Sequence, residues 1–148
     1  MRIAVASDHA GFRAKEALRR HLAGLGHEVE DFGCGSEESC DYPDFVVPAA
    51  RAVAQRRCAL GFVLGGSGNG EAMAANKVPG IRAAVVTDAF TAEMARRHND
   101  ANVASFGARV LTEERILALA AIFVETPFDG GRHQRRIEKI AALERKPL

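Results

Sequence analysis

At 148 residues, 47% hydrophobic and 26% charged, the chain has the size and composition of one soluble globular domain with a substantial core. A formal net charge of +1 gives no overall attraction to nucleic acid or to a membrane surface, and no run approaches the roughly 20 apolar residues of a membrane span. The three cysteines, Cys34, Cys40 and Cys58, have no metal-ligand spacing and read as reduced thiols of a cytoplasmic protein.

The first residues, MRIAVAS, are too short an apolar run for a secretory signal and lead directly into structure. RIAVAS (2–7) reads as a buried strand, and Phe12, Leu18, Leu22 and Leu25 follow at helical spacing. HEVEDF (27–32) alternates like a strand nearer a sheet edge, and 44–57 reads as helix. ALGFVL (59–64) is a second buried strand; a glycine-rich loop and a short helix come after it. RAAVVTD (82–88) reads as strand, 89–98 as helix, NVASFG (102–107) as the fifth strand and 113–125 as helix. The last helix is RHQRRIEKIAALERK (132–146), with Ile137, Ile140, Ala141 and Leu143 on its apolar side. Strand and helix alternating at this length predict a parallel sheet covered on both faces, a Rossmann-like three-layer α/β sandwich of one domain over 1–148. Right-handed crossovers leave few topologies, of which the five-stranded flavodoxin-like order is the expectation.

Ligand sites of open parallel sheets lie beyond the carboxyl ends of the strands. There the first strand runs into Ser7, Asp8, His9 and Gly11, the fourth into Thr87 and Asp88, and the fifth into Gly107 and Arg109. The third runs into LGGSGNGEAMAANK (64–77), in which Gly65, Gly66, Gly68 and Gly70 end at a carboxylate, Glu71. The spacing is not G-x-G-x-x-G, the loop does not follow the first strand, and there is no Walker lysine, so the dinucleotide reading fails although Asp88 sits roughly where a ribose-binding acid would. Taken singly, each feature has a plain structural reading: a tight strand–helix corner for the glycines, a dipole partner for Glu71, a helix cap for Asp8. Taken together, Glu71, Ser67 and a row of backbone N–H groups are what proton abstraction beside a carbonyl needs. The carboxylate moves a carbon-bound proton, and the N–H groups hold the developing oxyanion. Near the carboxyl end, Arg132, Arg135 and Arg136 with His133 form either a solvated helix face or, through Arg132 and Arg136 four residues apart, a phosphate clamp. His21 and His27 read as surface residues.

SDHAGF, DYPD (41–44), GGSGNGEAMAANK, RRHNDANV (96–103), FGAR (106–109) and GGRHQRR (130–136) together resemble the ribose-5-phosphate isomerase B family, over almost the whole chain and in consistent order. That family includes isomerases of ribose 5-phosphate and galactose 6-phosphate. The resemblance implies aldose–ketose isomerisation through an enediolate, without cofactor or metal, by homodimers or dimers of dimers. It implies that Glu71 is the base and His98 the acid that opens the furanose ring. Asp8, His9, Tyr42, Gly66, Ser67, Gly68, Asn69, Gly70 and Asn99 are implied as substrate contacts, and Arg109, Arg132 and Arg136 as phosphate ligands. One branch of the family uses a cysteine base immediately before the loop; here that position is Gly65, which places the chain in the glutamate branch. A four- or six-carbon sugar phosphate is the alternative substrate. A nucleotide-binding module of universal-stress type is a further alternative, but its G-x-x-G, nine residues, G-[ST] signature is absent.

His98 and Asn99 end a helix and precede the fifth strand, which puts them at the amino edge of the sheet, opposite the loop. Five-residue strands separate the edges by about 16 Å at ~3.3 Å per residue, beyond the reach of a histidine. A homodimer whose active sites draw on both chains reconciles that distance with a shared site.

Overall fold

A computed structural model describes residues 1–145. In chain order the elements are β1 (Arg2–Ser7), α1 (Phe12–Gly24), β2 (Glu28–Asp31), α2 (Pro43–Ala54), β3 (Leu60–Gly65) and α3 (Asn69–Ala75). They are followed by β4 (Ala83–Val85), α4 (Ala89–Asn99), β5 (Val103–Gly107), α5 (Glu113–Glu125) and α6 (Arg132–Leu143). The α/β class and the five parallel strands are as the alternation predicts. Of the predicted last helix, residue 146 lies outside the described residues.

The strand order is β2-β1-β3-β5-β4, which corrects the flavodoxin-like expectation by exchanging the last two strands. The reason is burial. All five residues of β5 are buried, so it belongs inside the sheet, where it pairs with β3 from Gly61–Val103 to Gly65–Gly107. Only three residues of the predicted fourth strand pair, all half-buried, which suits an edge. There the side-chain amide of Asn76 accepts from the Ala83 N–H at 2.8 Å and donates to the Ala83 carbonyl at 2.9 Å, covering backbone that a further strand could otherwise join.

The two faces of the sheet differ in bulk. Ile3, Val5, Phe62, Leu64 and Phe106 pack against Leu18 and Leu22 of α1 and Ile116, Leu119 and Phe123 of α5. Phe62 stacks on Phe106 and meets Phe123 edge-on, with centroids 5.8 Å apart in each pair. Behind the other face, Ala4, Ala6 and Val63 meet Val46, Ala49 and Val53 of α2, and the small side chains let α2 lie close to the strands. Leu25, expected on the apolar stripe of α1, instead follows the helix end and is 56% exposed. On α6, Ile137 is buried as predicted, but Ile140 and Leu143 are 49% and 73% exposed.

Lys15 of α1 is fully buried, its Nζ 2.7 and 2.8 Å from the two Asp31 oxygens and 3.0 Å from Glu16. This lysine ties α1 to the end of β2. Asp88 gives its carboxylate to the Thr91 N–H at 2.7 Å in a capping box that starts α4.

Candidate active site

In the sheet register Ser7 lies beside Leu64, and Gly65 beside Gly107, so the segments leaving β1, β3 and β5 converge on one rim. The glycine loop is tied there by its carbonyls. Gly65 O accepts from the Ala108 N–H at 2.8 Å, Gly66 O from the Arg109 N–H at 3.0 Å, and Gly68 O from the Ser105 hydroxyl at 2.6 Å. The N–H groups of Ser67, Gly68 and Gly70 have no acceptor among the described residues. Gly68 turns the chain into α3 at φ 82°, a left-handed conformation that favours glycine.

Glu71, in the first turn of α3, folds back over the end of β3. A Cβ at Gly65 would overlap its carboxylate, so a side chain at position 65 would require the Glu71 carboxylate to shift from this place. The Glu71 side chain is buried, and that burial raises its pKa; its own backbone N–H lowers it in part, and nearby Asp8 raises it further. A carboxylate held this way takes up a proton more readily than a solvated one.

Asp8, Tyr42, Gly66, Ser67, Gly70, Glu71 and Arg109 line one cleft of about 400 Å³. The hydroxyl end of Tyr42 lies against the loop: a Cβ at Gly70 would stand 2.6 Å from its ring. Arg109 covers Gly66 from the other side. One Asp8 oxygen accepts from the Gly11 N–H at 3.0 Å in the turn before α1, but the residue at the helix cap is Gly11 and no side chain caps it, which corrects the helix-cap reading of Asp8. His9 Nδ1 accepts from the Cys40 N–H at 3.3 Å, which leaves Nε2 as the ring's N–H donor in the neutral form.

The remaining predicted residues lie elsewhere. His98, in the last turn of α4, stacks on His133 of α6 with centroids 4.2 Å apart and planes 7° from parallel. Asp129 completes a cluster in which the three ligand-type atoms lie within 4.8 Å of one another. Arg97 grips the Asp129 carboxylate with both oxygens at 3.1 Å. Arg132 and Arg136 are exposed on α6 on either side of His133 in sequence. His133 is buried, and burial, then His98, Arg132 and Arg136, push its pKa down, favouring the neutral imidazole. The Asn99 carbonyl accepts from Arg82 Nε at 2.9 Å, and the residue borders an apolar groove of about 520 Å³ with Ile81, Ile140 and Leu143. None of His98, Asn99, Arg132 or Arg136 lines the Glu71 cleft. The sequence offers no role for Ser105 or Asp129, since nothing in their local pattern signals a contact made only in the folded chain, and His133, read there as part of a solvated helix face, is buried instead. A larger cavity of about 750 Å³ carries Arg82, Arg96 and Asp100, but both arginines are already paired with Asp100 at 3.0 and 2.9 Å.

Fold and cleft define a parallel α/β protein with a buried carboxylate set in an N–H-rich loop at the carboxyl rim of its sheet. Residues 3–140 match the Ribose/Galactose Isomerase family, and the chain belongs to it. It is 46% identical to ribose-5-phosphate isomerase B of Mycolicibacterium paratuberculosis over 98% of this chain and 92% of that one. The solved Clostridium thermocellum ribose-5-phosphate isomerase B superposes with a TM-score of 0.97 at 44% identity, covering 98% of each chain. The Mycoplasma genitalium enzyme, solved with bound ribulose-5-phosphate, gives 0.95 at 38% identity over 99% of this chain and 97% of that one.

Proposed function

We propose that the chain is a ribose-5-phosphate isomerase, a single cytoplasmic domain over 1–148 that interconverts ribose 5-phosphate and ribulose 5-phosphate. The observation that carries this reading is the buried Glu71 carboxylate folded against a loop with three unengaged N–H groups. Glu71 removes the proton from C2 of the open aldose and returns it to C1. The enediolate oxygen formed between these steps is held by the N–H groups of Ser67, Gly68 and Gly70. Because those dipoles supply the charge stabilisation, the step is metal-independent. Asp8 and His9 hold hydroxyls at the other wall, Asn69 closes the loop, and Tyr42 borders the mouth.

His98 supplies the proton that opens the furanose ring, Asn99 binds hydroxyls, and Arg132 and Arg136 join Arg109 on the phosphate. In this reading the first four come from a second copy of the chain in a homodimer. Two features support it: within one chain these residues lie outside the Glu71 cleft, and Ile140 and Leu143 leave apolar surface uncovered beside Asn99. The test is Glu71→Gln assayed on ribose 5-phosphate. Loss of a general base costs about two to four orders of magnitude in kcat, with binding of the sugar phosphate retained. Turnover near that of the parent would end the assignment.

A further inference from the structure

β5 is buried along its whole length, yet at its third position it carries a hydroxyl rather than another apolar side chain. Ser105 is fully enclosed, and the sheet register sets it between Val63 of β3 and Val85 of β4. Burying a hydroxyl costs free energy unless it finds a partner, and the partner here is in the glycine loop. The Ser105 hydroxyl donates to Gly68 O at 2.6 Å. Among the described residues this is the one side-chain hydrogen bond that the loop receives from another element. The loop also rests directly on the end of β5. A Cβ at Gly107 would stand 2.7 Å from Ser67 O, and one at Gly68 would stand 3.0 Å from the Phe106 carbonyl carbon.

The carbonyl that receives this bond sits at a junction. It also accepts the Ala72 N–H at 3.1 Å, so the Ser105 hydroxyl pins the first turn of α3, where Glu71 stands. Gly68 O shares its peptide group with the Asn69 N–H, which donates to the Ser67 hydroxyl oxygen at 3.3 Å. Because the peptide group is planar, holding its carbonyl holds its N–H as well, and donation to the one strengthens the other. The peptide groups on either side carry the Gly68 and Gly70 N–H groups, which have no acceptor among the described residues.

We propose that Ser105 is a positioning residue for the isomerisation: its hydroxyl fixes the Gly68–Asn69 peptide, and through it the neighbouring N–H groups that hold the oxyanion and the turn that carries Glu71. This rests on the isomerase reading. Ser105 touches no substrate, since it lies beneath the loop and outside the lining of the cleft. The loop donors act on charge that develops in the transition state, whereas the arginines that hold the phosphate stand on other segments. Losing the tether should therefore lower kcat and leave KM nearly unchanged. A fall of about three- to ten-fold is expected, the net value of one hydrogen bond.

The experiment compares the full-length parent with Ser105→Ala, which removes the donor, and Ser105→Thr, which keeps a hydroxyl on a residue that strands favour. Each is assayed on ribose 5-phosphate well below its melting temperature, and amide hydrogen exchange is followed in parallel. Turnover by the parent tests the isomerase reading by itself, and exchange tests the tether without reference to activity. In Ser105→Ala the amides of residues 68–72 should exchange faster while those of β1 and β3 keep the parental rate. Its kcat should fall three- to ten-fold with KM within about two-fold of the parent. Ser105→Thr should restore both the exchange and kcat. Should the added methyl group unfold the threonine variant, exchange and the split between kcat and KM in Ser105→Ala decide alone. Parental kcat in a folded Ser105→Ala chain, even one with a lower Tm, would make Ser105 a core residue only and overturn the proposal. So would unchanged exchange at 68–72, a loss confined to KM, or a folded Ser105→Thr as impaired as the alanine variant.

Discussion

The cleft at the carboxyl rim and the imidazole pair at the α4–α6 contact carry opposite chemistries. In the cleft two carboxylates, Asp8 and Glu71, face a single arginine, Arg109. Around His98 and His133 stand Arg97, Arg132 and Arg136, and the nearby carboxylate, Asp129, is already bound by Arg97. One region can take a proton from carbon but has little to hold a dianionic phosphate. The other can donate a proton and hold a phosphate, but the carboxylate beside its imidazoles, Asp129, is tied to Arg97. Each lacks what the other supplies, and this complementarity is the physical argument for a site assembled from two copies of the chain.

Breaking the base should give the largest effect. Gly65→Ala places a methyl group where the Glu71 carboxylate lies, so kcat should fall by about two to four orders of magnitude, as for loss of the base itself. Steady-state kinetics alongside a thermal melt will separate this from unfolding; parental kcat in a folded Gly65→Ala chain would show the carboxylate is not fixed there. Mixing tests the comparison directly. Glu71→Gln and His98→Ala, each inactive, should recover about a quarter of parental activity on equal mixing, since random pairing makes half the dimers mixed and each mixed dimer has one intact site. Mixed dimers verified to form yet inactive would break the two-copy argument.

How far this was legible in the sequence follows from the range over which each signal acts. The glycines and Glu71 follow β3 and Asp8 follows β1, and strand ends follow from hydrophobic patterning, so this part of the cleft could be assembled from local motifs, whereas Tyr42, at the start of α2, came only from the family resemblance. The order of the last two strands could not. Residues 82–88 and 102–107 are both apolar runs, and only packing reveals that Val103–Gly107 is buried throughout while Ala83–Val85 is a half-buried edge. His98, Asp129 and His133 lie on three separate segments that meet only where α4, the segment before α6 and α6 pack. Gly65 falls between these cases: its position could be read, whereas the reason for glycine needed the place of the Glu71 side chain.

Two smaller effects refine the basic half. Arg132→Ala or Arg136→Ala should raise KM for ribose 5-phosphate by about ten-fold, as expected for one charge-assisted phosphate contact, with kcat less affected. Binding equal to that of the parent would return these residues to a solvated helix face. His133→Ala removes the plate on which His98 rests and should lower kcat roughly two- to ten-fold, the value of one aromatic contact. His133→Phe keeps a flat partner and should recover most of that loss. If the two variants were equally impaired, the stack would not be what positions His98.

The smallest expected effect serves as a control, because it lies with α1 and β2 and touches neither half of the comparison. Glu16 accepts from Arg19 at 2.9 Å and from the buried Lys15 at 3.0 Å. The Arg19 hydrogen bond, opposed by burial and reinforced by Lys15, holds its pKa down at about 2. A carboxylate with a folded pKa below its unfolded value of about 4.3 stabilises the fold in full above that unfolded value. The contribution is lost as pH falls through the window toward 2, where the native state too becomes protonated. The parent should therefore lose Tm more steeply than Glu16→Gln between about pH 4.3 and 2, while the variant starts some 3–5 °C lower at neutral pH, a shift of about 1 kcal/mol in a domain of this size. Parallel acid melting curves would show that Glu16 is ordinary surface charge. Turnover of ribose 5-phosphate at neutral pH should be the same in both proteins, since neither the Glu71 cleft nor the His98–His133 pair contacts this ion-pair group.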